Sequence, residues 1–178
     1  VHRIDKETSG LLVVAKNEYT HKELSQQFKD HSITRKYQAM VWGLPIKNII
    51  SGYIARHKIH RKKMSLNNSK KGKYSETSII IKKHFNICSF IECNIKTGRT
   101  HQIRVHLNSI GNPVVGDKIY GKNKINSFNK FKKNHNKFLV LKNFNRQALH
   151  AYFLKFFHPV KKQDMEFKSN LPADFLDL

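Results

Sequence analysis

Apolar residues along this chain recur with two rhythms, one of period two and one near 3.6, and each rhythm marks an element. Leu11, Leu12, Val13, Val14 and Ala15 form an unbroken, partly β-branched run after the polar turn 6–10, which predicts a buried strand. Thr20 and Glu23 have capping-box spacing, and Leu24 and Phe28 fall four apart on one face, so residues 20–30 read as a helix. Over 34–42, Tyr37, Ala39 and Val41 alternate with polar neighbours, predicting a half-exposed strand that Gly43-Leu44-Pro45 stops. Weaker alternation at Ile54 and Ile59 makes 51–66 a strand or hairpin, followed by a polar turn over 67–73. Residues 75–85 and 87–96 are rich in isoleucine and aromatics, and the short gap at Asn86 predicts a tight antiparallel connection.

Ile103, Leu107 and Ile110 recur at i, i+4 and i+7, with Gly111 where a helix C′ residue belongs, so 101–110 is expected to be helical. A short strand and turn follow over 114–121, then a lysine- and asparagine-rich solvated loop over 123–137. Residues 147–158 are strongly apolar and predict a strand buried on both faces near its middle. Residues 165–168 read as its hairpin partner, and 172–178 as a short helix with Pro172 near its first turn. The sum is an α+β fold: a mixed, mostly antiparallel sheet with flanking helices. At 178 residues one core and one domain, 1–178, are expected. No Rossmann glycine fingerprint, Walker A sequence or internal repeat is present.

Charge narrows the partner. With 34 Lys and Arg against 12 Asp and Glu, the net charge is +22. A field of that size draws polyanions, and nucleic acid comes first. No apolar run approaches the roughly 20 residues that a spanning helix needs, so no membrane partner is expected. Cys88 and Cys93 lie an odd number of residues apart in one expected strand, on opposite faces, which argues against a disulfide and fits a reducing, cytoplasmic setting. The 11 histidines lack ligand spacing, and His101 and His106 are no i,i+4 pair, so no metal is expected.

Candidate chemistry sits at the start of the chain. In His2-Arg3-Ile4-Asp5-Lys6-Glu7-Thr8-Ser9-Gly10-Leu11-Leu12, a carboxylate stands at the mouth of the first expected strand, two residues after an arginine. Taken alone, Asp5 reads as a turn carboxylate capping a backbone N–H. Further on, Thr97-Gly98-Arg99-Thr100-His101-Gln102-Ile103-Arg104-Val105-His106-Leu107 is a second dense motif. Together the two resemble the first and third signatures of the RluA-type pseudouridine synthases, with Ile4 in place of the usual leucine. Arg35-Lys36-Tyr37 followed by Val41-Trp42-Gly43 resembles the second signature, and Gly116-Asp117-Lys118-Ile119-Tyr120-Gly121 and Arg146-Gln147-Ala148-Leu149-His150-Ala151 resemble downstream family turns. The resemblance runs in order from residue 1 to about residue 170. Ile54-Ala55-Arg56-His57 and Arg146-Gln147-Ala148-Leu149-His150 are similar to the RluD-type enzymes of large-subunit ribosomal RNA.

The resemblance implies an RNA pseudouridine synthase, an isomerase that takes RNA, most of all ribosomal RNA, as its substrate. It implies Asp5 as nucleophile or charge partner at ribose C1′, Arg104 as its ion-pair partner, and Tyr37 against the target base. Breaking an N–C glycosidic bond and remaking it as C–C needs no redox step and no phosphate energy, so no cofactor is expected. Burial alone would push a carboxylate towards its neutral form, and an arginine at contact distance opposes that. A base flipped out of its stack regains about 1–3 kcal/mol on an aromatic face, the role open to Tyr37. Arg3 is a candidate to fill the vacated stack or to hold a phosphate. Arg99, His101 and Gln102 are candidates to shape the pocket, with helix-start scaffold as their alternative role. Arg56, Lys58, Arg61, Lys62 and Lys63, with the lysines of 122–142, are phosphate-contact candidates. A monomer is expected. In the resembled family strands and often an S4-type RNA-binding domain precede the first signature, so this sequence reads as lacking them. The alternative from another class is a non-catalytic RNA-binding or ribosome-assembly factor on the same fold.

Overall fold

The computed structural model describes residues 1–67, 69–121 and 135–178. Its strands are β1 Ser9–Gly10, β2 Thr34–Trp42, β3 Ile49–Arg56, β4 Met64–Asn67, β5 Lys73–Phe85, β6 Cys88–Ile95, β7 Leu149–His158 and β8 Gln163–Lys168. They join one mixed sheet in the order β1-β7-β2-β6-β5-β3-β4, with β8 beside β1 on the outer edge of β7. Only the short β1–β7 pair is parallel among the described ladders. The helices are α1 Glu18–Lys29, α2 Gln102–Ser109, α3 His135–Asn143 and α4 Ala173–Leu176.

The centre of the sheet follows the alternation closely. β5 and β6 pair antiparallel across Asn86, which takes a left-handed φ of 58° to make the tight link. β2 keeps its expected bounds but is less exposed than the alternation implies. Sandwiched between β6 and β7, it buries Ala39, Met40, Val41 and Trp42 in succession, because both faces are covered at that end. The 51–66 segment resolves into the β3–β4 hairpin. Gly111 follows α2 with φ 90°, the left-handed C′ position its sequence predicts.

Four expectations change. Residues 11–15 are no strand: the ladder ends where Leu11 N–H donates to the Ala151 carbonyl, because β8 takes the same edge of β7 from Phe153 onward. One face of that run alone is covered, and Val14 is 73% exposed. α1 starts at Glu18 because the Asn17 side chain caps it, accepting from Thr20 N–H at 2.8 Å, so Thr20 is N3 and no cap. The expected loop over 123–137 lies outside the described residues up to 134, and from His135 the chain is already α3. β7 is buried on both faces at its start, Leu149 to Ala151, rather than at its middle. In α4, Pro172 is the N-cap.

α2 lies across β3, β4 and β5, and every residue from Gln102 to Leu107 is buried. Ile103 and Leu107 anchor it in the main core, each burial contributing about 1.5–3 kcal/mol. His106 fastens the helix to β5: its Nε2 lies 2.9 Å from Ser75 Oγ and its Nδ1 2.9 Å from Thr77 Oγ1. Ser75 Oγ already donates to the Gly52 carbonyl, so it accepts from Nε2–H and the imidazole is neutral. Cys88 and Cys93 are both buried and free. Among the described residues, no helix is long and apolar enough to cross a membrane.

Candidate active site

Asp5 stands in irregular backbone, yet the fold holds it from several sides. Its carbonyl accepts Thr8 N–H at 2.9 Å, closing a turn. Thr8 Oγ1 in turn accepts from Gln147 Nε2 at 2.7 Å, and Ser9 Oγ meets His150 Nδ1 at 2.9 Å. Gly10 lets the segment pass this close to β7: its φ is 108°, and a Cβ there would lie 2.2 Å from the Ala151 carbonyl oxygen.

Arg104 comes from the first turn of α2 and forks between two carboxylates. Its Nη1 donates to Asp5 Oδ2 at 2.9 Å, its Nε to Asp117 Oδ2 at 2.7 Å, and its Nη2 to Asp117 Oδ1 at 2.9 Å. Asp117 is fixed in turn, Oδ1 accepting from Ile119 N–H at 2.9 Å and Tyr120 N–H at 3.0 Å. Its side chain is fully buried, and that of Asp5 is 19% exposed. Burial opposes the charge on Arg104, but the hydrogen bonds and attraction of Asp117 and Asp5 outweigh it and raise its pKa above the ordinary arginine value. Two carboxylates thus share one guanidinium, and Asp5, which lines the cleft, keeps its Oδ1 without a hydrogen-bond partner among the described residues.

The cleft has a volume of about 80 Å³. That suits one planar ring better than a whole ligand of drug size, for which pockets run to about 300–1,000 Å³. Tyr37, Ile4, Ile95 and Leu149 give it apolar walls beside Asp5 and Arg104. Tyr37 keeps 7% of its surface open, and its hydroxyl has no partner among the described residues. Burial raises the pKa of that phenol, so it stays protonated.

The expected site residues separate into three groups. Asp5, Tyr37, Arg104, Arg3, Arg99, His101 and Gln102 all line the one cleft. Within it, Gln102 is already spent as scaffold: Oε1 accepts from Thr97 Oγ1 and Arg99 N–H, and Nε2 donates to the Glu76 carbonyl and Thr77 Oγ1. His101 takes a left-handed φ of 56° at the head of α2. The Tyr120 hydroxyl accepts Met64 N–H at 2.8 Å and so gives its own proton to His101 Nδ1, 2.9 Å away. Burial lowers the His101 pKa, opposed by Asp5 and Asp117 and reinforced by Arg104 and Arg3. Arg56 and Arg61 lie elsewhere: both are exposed on the β3–β4 connection, and Arg61 lines a separate basic hollow with Lys62, Lys63 and Lys118.

Two residues here were not among the expected site residues. Asp117 is the one acidic residue between Glu92 and Asp164, and a buried arginine on α2 needs a counter-charge, a signal that could have found it. Arg35 is buried at the cleft wall, with its motif noted but no role attached to it. Among the described residues no three His, Cys, Asp or Glu side chains gather as a metal cage would.

Chemically, the arrangement presents one uncommitted carboxylate oxygen against an aromatic wall, suited to attack at an electrophilic carbon. A family model described as RNA pseudouridylate synthase matches residues 1–109. Ribosomal large subunit pseudouridine synthase D of Zymomonas mobilis is 43% identical over 98% of this chain and 53% of its own length. The protein of the same name from Buchnera aphidicola (subspecies Baizongia pistaciae) is 44% identical, covering all of this chain and 55% of its own length. An uncharacterised RNA pseudouridine synthase of Bacillus subtilis, YlyB, is 41% identical over all of this chain and 54% of its own length. The chain thus spans about half the length of the curated relatives it matches. Among solved structures, human RNA pseudouridylate synthase domain containing 1 superposes with a TM-score of 0.74 at 28% identity, covering 96% of this chain and 68% of that one. A second human protein, domain containing 4, shares the fold at a TM-score of 0.73 and 22% identity, covering 98% of this chain and 72% of that one.

Proposed function

Because the chain belongs to the RNA pseudouridylate synthase family, we propose that it forms the catalytic domain of an enzyme that isomerises uridine to pseudouridine in large-subunit ribosomal RNA. The names of its bacterial relatives support that RNA class, and the charge of +22 supports a polyanionic partner. The observation that carries the reading is the Asp5–Arg104 contact of 2.9 Å at a cleft walled by Tyr37.

In the reaction the bond from C1′ to uracil N1 breaks, the base turns, and C5 takes the place of N1. C5 loses a proton and N1 gains one, so no atom or electron enters or leaves and no cofactor is consumed. Asp5 supplies negative charge to C1′ as the glycosidic bond weakens, through the oxygen that Arg104 does not occupy. Arg104 aims Asp5, and Asp117 holds Arg104. Tyr37 lies against the flipped base, returning about 1–3 kcal/mol of the stacking that flipping gives up. Arg3, Arg99 and His101 border the same slot, with Arg3 placed to enter the stack that the base leaves.

The test is pseudouridine formation on a large-subunit ribosomal RNA transcript by the protein and by Asp5→Ala. Product from the first, reduced at least about a thousandfold in the second, is expected. Equal product from both, or none from either while RNA still binds, would leave a non-catalytic RNA-binding protein.

A further inference from the structure

A second hollow, of about 360 Å³, adjoins the cleft and shares Arg3, Arg35, Gly98 and Arg99 with it. Two of its side chains carry buried donors that nothing in the described protein satisfies: Arg35 Nε and His2 Nδ1. His2 Nε2 accepts Val13 N–H at 3.0 Å, so the ring proton of neutral His2 sits on Nδ1, and that atom is a donor. Arg35 is 7% exposed and makes no hydrogen bond or ion pair with any described residue. Its one close partner is the Phe28 ring, 5.2 Å from the guanidinium carbon, and His2 stacks on the same ring at 4.6 Å. Residue 98 must lack a side chain for the guanidinium to fit, since a Cβ there would lie 2.6 Å from Arg35 Nη1.

A buried cation is normally paired, and a buried donor normally bonded. Arg104, one wall away, has three bonds to two carboxylates. Arg35 has none among the described residues, and around the hollow Lys29, Arg3 and Arg99 add positive charge while no carboxylate lines it. We propose that this hollow is a phosphodiester subsite, in which Arg35 and His2 donate to the phosphate next to the nucleotide whose base enters the cleft. The proposal rests on the RNA-modifying reading above and adds to it the place where the substrate backbone is gripped. The shared wall supports the pairing of sites: the phosphates that flank a nucleotide are joined to its ribose through O5′ and O3′, and the hollow shares Arg3, Arg35, Gly98 and Arg99 with the cleft that Asp5 lines. A phosphate offers acceptor oxygens to both unmet donors and a charge to the unpaired guanidinium, which a neutral ligand would not.

The experiment measures binding of a large-subunit ribosomal RNA transcript against salt for the wild type, Arg35→Gln and Arg35→Lys, each checked by thermal melting. Arg35→Gln is expected to bind about ten- to a hundredfold more weakly and to lower the slope of log K against log salt by about 0.7–0.9, the loss of one phosphate contact. Arg35→Lys is expected to keep the slope and lose affinity. A folded Arg35→Gln with unchanged affinity and slope overturns the subsite. If Arg35→Gln fails to fold, the side-chain Nε–H signal of Arg35 in the wild type decides, by nitrogen-15 NMR. It should shift with uridine 5′-monophosphate and not with uridine, and no shift with either overturns the proposal. A wild type that binds RNA but forms no pseudouridine removes the catalytic reading and leaves this binding result standing.

Discussion

Replacing Asp117 with Asn changes one atom at the back of the site, out of reach of any substrate. The Oδ1 bonds to Arg104 Nη2, Ile119 N–H and Tyr120 N–H survive in principle. What is lost is Oδ2, which accepts Arg104 Nε at 2.7 Å; the amide that replaces it faces a donor with a donor. The pair is buried, with 0% exposure at Asp117 and 4% at Arg104. Breaking such a pair from one side costs about 3–5 kcal/mol, and Asp5 remains to hold part of the guanidinium charge, so the low end, about 3 kcal/mol, is expected. Against a total of about 5–15 kcal/mol that is a large share. With a urea slope near 2 kcal/mol/M the unfolding midpoint falls by about 1.5 M. Arg104, held on one side, swings, and Asp5 loses its aim. Single-turnover pseudouridine formation by protein kept cold and folded should fall about ten- to a hundredfold, with RNA affinity unchanged. A midpoint within about 0.3 M of the wild type would refute the claim that Asp117 holds Arg104. A wild-type rate from the folded variant would refute the claim that Arg104 must be held.

Substitutions at two other residues read the same architecture. Tyr37→Phe keeps the ring and removes a hydroxyl with no described partner, so stability should hold to about 0.5 kcal/mol and RNA affinity to about threefold. Tyr37→Ala should lose about 3–5 kcal/mol of stability and about 1–3 kcal/mol of base stacking, and comparable affinities for the Phe and Ala variants would rule out the stack. Burial holds the His106 imidazole down to about 4 from its ordinary 6.5. Between those values the unfolded chain takes up a proton that the folded chain refuses. The contribution is therefore complete above pH 6.5 and is lost as pH falls towards 4, about 3 kcal/mol in all. His106→Gln should flatten that part of a stability-versus-pH curve, and a curve as steep as the wild type would exclude His106 as its source.

The sheet was legible where one side chain's neighbours are its own strand neighbours. β2, β5 and β6 have the alternation and β-branched content that pairing selects, and their bounds came out within two residues. It was illegible where another strand decides. Nothing in Leu11 to Ala15 says that β8 will occupy the edge of β7 beyond Ala151, yet that occupancy keeps the run out of the sheet. At α1, Asn17 and Thr20 compete for the cap, and Thr20 with Glu23 is the more familiar pattern, although the backbone chose Asn17. The site shows the same division. Asp5 and Arg104 are 99 residues apart, so no spacing argument joins them; the motif resemblance did, and the fold supplies the 2.9 Å. Gln102 was recognised as part of the motif, but two of the four bonds that make it scaffold exist only once Glu76 and Thr77 of β5 arrive. Arg56 and Arg61 matched on charge alone, and charge does not say which face of a hairpin points at a cleft.

The fastening of residues 5–10 to β7 has a consequence for how the molecule comes to life. The loop carrying Asp5 is synthesised before its anchors, Gln147, His150 and Ala151, which lie about 140 residues later. Contacts of such separation pay their loop-closure entropy late in folding. A nascent chain still missing β7 therefore carries every side chain of the Asp5–Arg104–Asp117 cluster without the anchors that fasten the loop of the first of them. Under the proposed function, chemical competence arrives with the closing ladder, so a half-made copy would bind RNA without modifying it.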